Sequence, residues 1–297
     1  MHFHGVSVVI AAKDEALHVR EAVSSVLGQS GVDFELIFVD DGSKDDTYLI
    51  VCELAASDSR LKVFRNPSAG KCSAFNYGVS MAMGSFVCIF AGDDLMPPGS
   101  LSQRFRAVSA YSPNSPVVGL CKLKTISEDK KFDGQIVPKA TGVGGFTGVS
   151  YLMSKPALEK IFPVPESLPN EDTWMEVAVR YMPGWVIVHS DVVGCYWRVH
   201  SGNSINMQLS FSEYNRRLTP RMSAFEKFYD AHRSELDQEG IAFLRSRIEC
   251  EQARASGSVL GVLTSSAPLV DRLRALSATN SFFYELRRRL FKLLSGF

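Results

Sequence analysis

The chain has 297 residues, enough for one large domain, or a domain with an appendage, around a proper hydrophobic core. Its 45% hydrophobic and 22% charged residues are ordinary globular composition, with no low-complexity tract. Thirty-two basic residues balance 32 acidic ones, so no overall basic field argues for nucleic acid as a partner.

Six scattered cysteines without a C-x-x-C pair argue against a disulfide framework or a zinc site and for a reducing compartment. The opening MHFHGVSVVIAAKDE reaches charge too soon for a signal peptide, and no apolar run approaches the ~18 residues of a spanning helix. The expectation is a cytoplasmic protein, peripheral at most on the inner face of the plasma membrane.

From residue 6 to about 121, apolar runs alternate with helical patterns. VSVVIAA (6–12), FELIFVD (34–40), LKVFR (61–65), SFVCIFA (85–91) and PVVGLCKL (116–123) read as strands; they are continuous runs, as strands buried on both faces are. Segments 15–29, 45–57 and 72–84 carry helical spacing, with Leu17, Val19, Val23, Val26 and Leu27 as the apolar face of the first. Strands alternating with such helices predict βαβ units and a parallel sheet. Beyond 125 the order loosens: 132–150 reads as a Gly- and Thr-rich loop, 155–162 and 170–182 as helices, and 185–191 and 192–200 as strands. From 208 onward the pattern is helical, interrupted near Gly257 and Pro268.

In an open parallel sheet, ligands collect at the carboxyl ends of the strands. Asp14 follows the first strand, Asp40 and Asp41 end the second, and Asp93 and Asp94 end the fourth. Helix capping explains any one of these acids, but three clusters on one edge point to a ligand. One carboxylate pair suits a base or ribose, and the other suits a hard divalent cation that also meets phosphate oxygens. Lys71, in a Gly-Lys step without the Walker glycines, could reach a phosphate or simply be a solvated lysine.

The segments VSVVIAAKDEALHVREAVSSVLGQSGVDFELIFVDDGSKDDT, GKCSAFNYG and GSFVCIFAGDD together resemble the nucleotide-sugar domain of family 2 glycosyltransferases. The likeness is close over about 6–100 and looser to about 205. It implies the GT-A fold, an α/β Rossmann-like mostly parallel sheet flanked by helices, here with a helical C-terminal extension. The implied layout is a GT-A domain over 1–207, with a nucleotide-sugar half (1–124) and an acceptor half (125–207), and an extension over 208–297.

The resemblance implies that Ala11, Asp14, Asp40 and Asp41 hold base and ribose, with Lys71 near the base or diphosphate. It places a Mn²⁺ or Mg²⁺ ion at Asp93 and Asp94, with Asp93 also facing the ribose. Ala91 stands where the family's D-x-D motif has its first acid. PNEDTWMEVAVRYM resembles the family's E-D motif, making Asp172 the general base with Glu171 beside it; capping of the helix is the plainer reading. Arg198 and His200 alternate on a strand and share a face, where Arg198 would meet the leaving diphosphate and His200 would add a metal ligand. Residues 142–155 resemble a mobile acceptor-side loop.

The implied activity is inverting transfer of a hexosyl group, from a UDP-sugar foremost and otherwise a dTDP- or GDP-sugar, to a hydroxyl of a glycan or lipid-linked acceptor in bacterial surface polysaccharide assembly. A catalytically degenerate nucleotide-sugar-binding or scaffolding module is the alternative, and Ala91 is its best support. The segment 281–297 places Phe283, Leu286, Leu290, Leu293 and Phe297 at helical spacing among Arg287, Arg288, Arg289 and Lys292. Such a helix suits an anionic membrane surface, or packing on its own core or on a second copy.

Overall fold

A computed structural model of the chain describes residues 3–112, 114–199 and 209–294, with side chains through residue 289. The chain divides into two compact units, Met1–Val179 with Gly184–Val199, and Arg180–Pro183 with His200–Phe297.

The first unit is built on a mixed sheet. Strands β1 (Phe3–Ala12), β2 (Phe34–Asp40), β3 (Leu61–Arg65) and β4 (Gly84–Ala91) pair in parallel in the order β3-β2-β1-β4. Parallel neighbours need crossovers, supplied by α1 (Val19–Leu27), α2 (Thr47–Ala55) and α3 (Lys71–Ser80). β2 is buried along its whole length and β1 nearly so, as their continuous apolar runs require. Helix α1 is shorter than its apolar spacing predicts: Leu17 lies in the preceding turn, 89% exposed, while Val19, Val23 and Val26 face the core.

The chain winds one way from β1 to β3 and returns on the other side of β1 with β4. That reversal opens a crevice beyond the carboxyl ends of β1 and β4, where Ala11 pairs with Ala91. At the other end of these strands, Glu35 of β2 ties β1 and β3 to the residue that leads into β4. Its carboxylate accepts from Ser7 Oγ (2.6 Å), the Met83 N–H (2.7 Å) and Lys62 Nζ (2.7 Å). Burial opposes its ionisation, but Lys62, Ser7 and the Met83 N–H hold its pKa below the usual value.

After β4 come α4 (Ser100–Val108), β5 (Val117–Ile126), β6 (Ile136–Val137), a single 3₁₀ turn (Gly148–Ser150) and β7 (Tyr151–Ser154). Then follow α5 (Lys155–Ile161), α6 (Asp172–Tyr181) and β8 (Val186–Arg198). β7 runs antiparallel between β4 and β5, and β8 lies parallel along β5. Two expectations change here. Residues 151–154 are a fully buried strand rather than part of a loop. The strands expected over 185–200 are one, with the β5 register shifting between its partners His189 and Val193.

In the second unit, helices run over Phe211–Met222 (α7), Ala224–His232 (α8), Gln238–Ala255 (α9), Val259–Thr264 (α10), Leu269–Leu276 (α11) and Ser281–Leu294 (α12). Ser210, Asp237 and Ser258 cap α7, α9 and α10 by accepting backbone N–H groups of the first turn. Among its described residues, Cys250, Val262, Ala267 and Ala275 form a core among α9, α10 and α11, and Tyr214, Ala278 and Tyr284 form one between α7 and α12. No helix among the described residues is long and apolar enough to cross a membrane.

Candidate active site

The motif VDDGSKDDT acts first on the loop after β1. Asp14 sits in the left-handed region (φ 55°), a conformation that Asp tolerates better than most residues. Its N–H donates to Ser43 Oγ (2.9 Å), and its Oδ1 accepts from the Lys44 N–H (2.7 Å). The Glu15 N–H donates to Thr47 Oγ1 (2.7 Å) and the Ala16 N–H to Asp45 Oδ2 (3.0 Å). Slight burial opposes the ionisation of Asp45, but its bonds with Thr47 and the Ala16 N–H outweigh that and lower its pKa. Asp40 is buried and accepts the Ser43 N–H, while Asp41 Oδ1 takes Asn66 Nδ2 (2.7 Å) and the Gly70 N–H (2.9 Å). The acids expected at base and ribose thus also shape the loops that border the crevice.

The crevice floor is close-packed. A Cβ on Gly92 would meet Ala12 Cβ at 2.5 Å, so glycine is what lets the ends of β1 and β4 approach. Beyond Gly92 the two aspartates diverge. Asp94 is buried; its Oδ1 accepts the Arg198 N–H (2.8 Å) and its Oδ2 the Cys195 thiol (3.4 Å). Burial first, and the charge of Asp93 second, push its pKa up to about 7. Asp93 is half-buried, and its carbonyl accepts Arg198 Nε (2.8 Å). Arg198 also pairs with Glu21 (3.0 Å), so its guanidinium lies beside the β4 end. His200 lies outside the described residues.

A resident cation is tested by this donor set. Among the described residues, no group of three His, Cys, Asp or Glu side chains could hold a metal on its own. Mg²⁺ and Mn²⁺ need less from a protein when substrate phosphates and water complete the octahedron; one or two carboxylates suffice. Asp93, half-buried at the end of β4, is a carboxylate of that kind, and both Asp94 oxygens serve β8.

Lys71 opens α3, and its Nζ pairs with Glu171 Oε1 at 3.1 Å, linking α3 to the start of α6. Glu171 is buried, and burial foremost raises its pKa, Lys71 opposing and Asp172 adding to the rise. Burial, with the Glu171 charge adding, pushes the adjacent Cys72 thiol up to about 12, away from the thiolate form. Asp172 differs from its neighbour. Half-buried in the first turn of α6, it accepts the Gly148 N–H at Oδ1 (3.0 Å) and Asn170 Nδ2 at Oδ2 (3.1 Å). Two donors and the start of a helix thus fix the orientation of its carboxylate.

Sequence reasoning missed the support of that turn. Arg104 on α4 is buried, and its Nη2 reaches the carbonyls of Val149, Ser150 and Tyr151 at 3.4, 3.1 and 3.0 Å. The signal was present: Leu101, Phe105 and Val108 form a helical stripe after Pro97-Pro98-Gly99, with Arg104 within it. A cavity of ≈ 480 Å³ lies at the far edge of the sheet, lined in part by Glu35, Arg60 and Lys62. Of its charged groups, Lys62 pairs with Glu35 and Arg60 with Asp58, both at 2.7 Å.

Residues 7–131 match the sequence profile described as glycosyl transferase family 2. Over 152 residues, half of this chain, it is 30% identical to a GalNAc(5)-diNAcBac-PP-undecaprenol beta-1,3-glucosyltransferase of Campylobacter jejuni. Over 96 residues it is 32% identical to a chondroitin synthase of Pasteurella multocida. The chain spans 48% and 10% of those proteins' lengths. Among solved structures, S. aureus TarS 1–349 with UDP-GlcNAc superposes with a TM-score of 0.60 at 18% identity, covering 95% of this chain and 83% of that one. A mannosyltransferase of Pyrobaculum calidifontis with GDP-Man and Mn²⁺ gives 0.57 at 17% identity, covering 97% and 76%. These likenesses show the GT-A fold.

Proposed function

We propose, from the premise that residues 7–131 belong to glycosyl transferase family 2, that the chain moves a sugar from a nucleoside diphosphate donor to an acceptor hydroxyl with inversion. The observation that carries this reading is Asp172, a carboxylate held by two donors at a helix start and tied through the Lys71–Glu171 pair to the donor side. Donors bound by the structural neighbours, UDP-GlcNAc and GDP-Man, support a nucleotide sugar, and the UDP form is our first choice. A glycan or lipid-linked saccharide of surface polysaccharide assembly is the acceptor we propose, in keeping with the undecaprenol named for the Campylobacter relative.

Asp172 takes the proton of the acceptor hydroxyl as its oxygen attacks the anomeric carbon. The bond from that carbon to the phosphate oxygen breaks on the opposite face, and its electron pair departs with the nucleoside diphosphate. General-base assistance of this kind is worth about 10²–10⁴-fold. Ala11, Asp14, Asp40 and Asp41 border the base and ribose, while Lys71 and Arg198 are the cations at hand for the leaving diphosphate. A bound Mn²⁺ or Mg²⁺ would supply charge neutralisation to that leaving group. Asp93 is the residue that would hold it.

Thermal unfolding with a panel of UDP-, GDP- and dTDP-sugars, with and without Mn²⁺, tests the binding half. A ligand at 100 times its Kd adds about 2.7 kcal/mol, or roughly 5–10 °C for a unit of this size. The expected pattern is a shift with one nucleotide class that disappears with EDTA and in Asp93→Asn. No shift with any donor would contradict the reading.

A further inference from the structure

We propose that the carboxyl-terminal helical unit docks on an anionic lipid bilayer through the outward faces of α10, α11 and α12. This goes beyond the transferase reading and needs neither donor nor acceptor. α10 and α11 are packed in reverse of a solvent-facing helix: they bury Val262 and Ala275 and present larger side chains to water. On α10, Leu260 and Leu263, three residues apart, are 72% and 47% exposed. On α11, Leu269, Val270 and Leu273 share one face and are each more than half exposed.

These faces adjoin. Arg272 Nη1 on α11 donates to the Leu263 carbonyl of α10 (2.8 Å). Arg287 of α12 donates to Ser277 Oγ at the end of α11 (3.2 Å). α12 buries Tyr284 inward and turns Phe282, Leu286 and Arg289, at i, i+4 and i+7, outward. The outward stripe therefore differs from the one expected from sequence, in which Phe283 led. Exposed apolar side chains at this density mark an interaction surface.

Charge selects the occupant. Residues 257–297 carry Arg272, Arg274, Arg287, Arg288, Arg289 and Lys292 against Asp271 and Glu285. Six minus two gives +4, in a chain whose net charge is zero. A second copy would bring two segments of net charge +4 together, whereas an anionic bilayer offers both the opposite charge and an apolar layer beneath it. With no helix fit to span a membrane among the described residues, the mode of binding is adsorption.

Vesicle flotation of the full chain tests this, comparing phosphatidylcholine vesicles with equimolar phosphatidylcholine and phosphatidylglycerol. Expected is at least about tenfold stronger recovery on the anionic vesicles, weakening as salt rises. The double variant Leu269→Ser, Leu273→Ser should lose about tenfold of that binding with an unchanged melting temperature, because both side chains are exposed. The double variant Arg274→Glu, Arg289→Glu should lose the preference for anionic lipid. Equal recovery on both vesicle types, no recovery on either, or unaltered binding by both variants overturns the proposal. So does a dimer that the leucine variant dissociates, which would assign the face to a second copy.

Discussion

Glu171 and Asp172 adjoin in sequence yet meet opposite surroundings. Asp172 is half-buried with donors on both oxygens, whereas Glu171 is buried against Lys71, with Oε2 lacking a partner among the described residues. The folded pKa of Glu171 lies above its unfolded value, so between the two the folded chain keeps a proton that the unfolded chain has released. Stability from that proton is present at low pH and is lost as pH rises through the folded pKa. Glu171→Gln, neutral throughout, should melt like the wild type near about pH 4 and above it near about pH 8. A gain independent of pH would show that its burial is not the cause. Arg104 gives a second expectation. Its guanidinium is buried, and the cost of that burial offsets much of what its carbonyl bonds contribute to stability. Arg104→Met should stay within about 1–2 kcal/mol of wild type by denaturant unfolding, yet lose turnover as the 148–150 turn loosens. Full activity would leave Arg104 a packing residue.

At the scale of elements, the turn before β7 sets the geometry of the proposed base. A Cβ on Gly148 would stand 2.9 Å from Asp172 Oδ1 and 3.0 Å from Ile89 Cδ1, so the Asp172 carboxylate or the turn must move to admit one. Gly148→Ala should lower kcat by about tenfold or more at unchanged donor affinity, since misplacement of about an ångström already slows chemistry markedly. Steady-state kinetics with separate donor titration would show it; a rise in donor KM alone would move the fault to the nucleotide side. This turn was not legible in the sequence. β1, β2 and β4 announce themselves as continuous apolar runs, and the acids at their ends follow. β6 and β7 are two and four residues long and lie within or just beyond a Gly-rich stretch, too short for periodicity to register. β8 read as two strands because Ser190-Asp191 looks like a turn, whereas Asp191 is held by Lys122 (3.0 Å) while the strand continues. The contact of Gly148 with Asp172 joins residues 24 apart, a pairing that no local pattern encodes.

Across the whole molecule, the charge balance hides two opposing regions: the ligand-facing edge of the first unit is acidic, and the last 41 residues are basic. An acidic edge repels a diphosphate unless cations stand between them, which is why Lys71, Arg198 and a divalent ion at Asp93 belong to one account. The central claim is that Asp172 activates the acceptor, and the most direct test compares nucleoside diphosphate release by wild type and Asp172→Asn. Both are given the nucleotide sugar that stabilises the fold, with Mn²⁺ and an acceptor glycan. The substitution is nearly isosteric, so donor-induced stabilisation should be retained while turnover drops by about 10²–10⁴-fold. Near-normal release by Asp172→Asn would contradict the account.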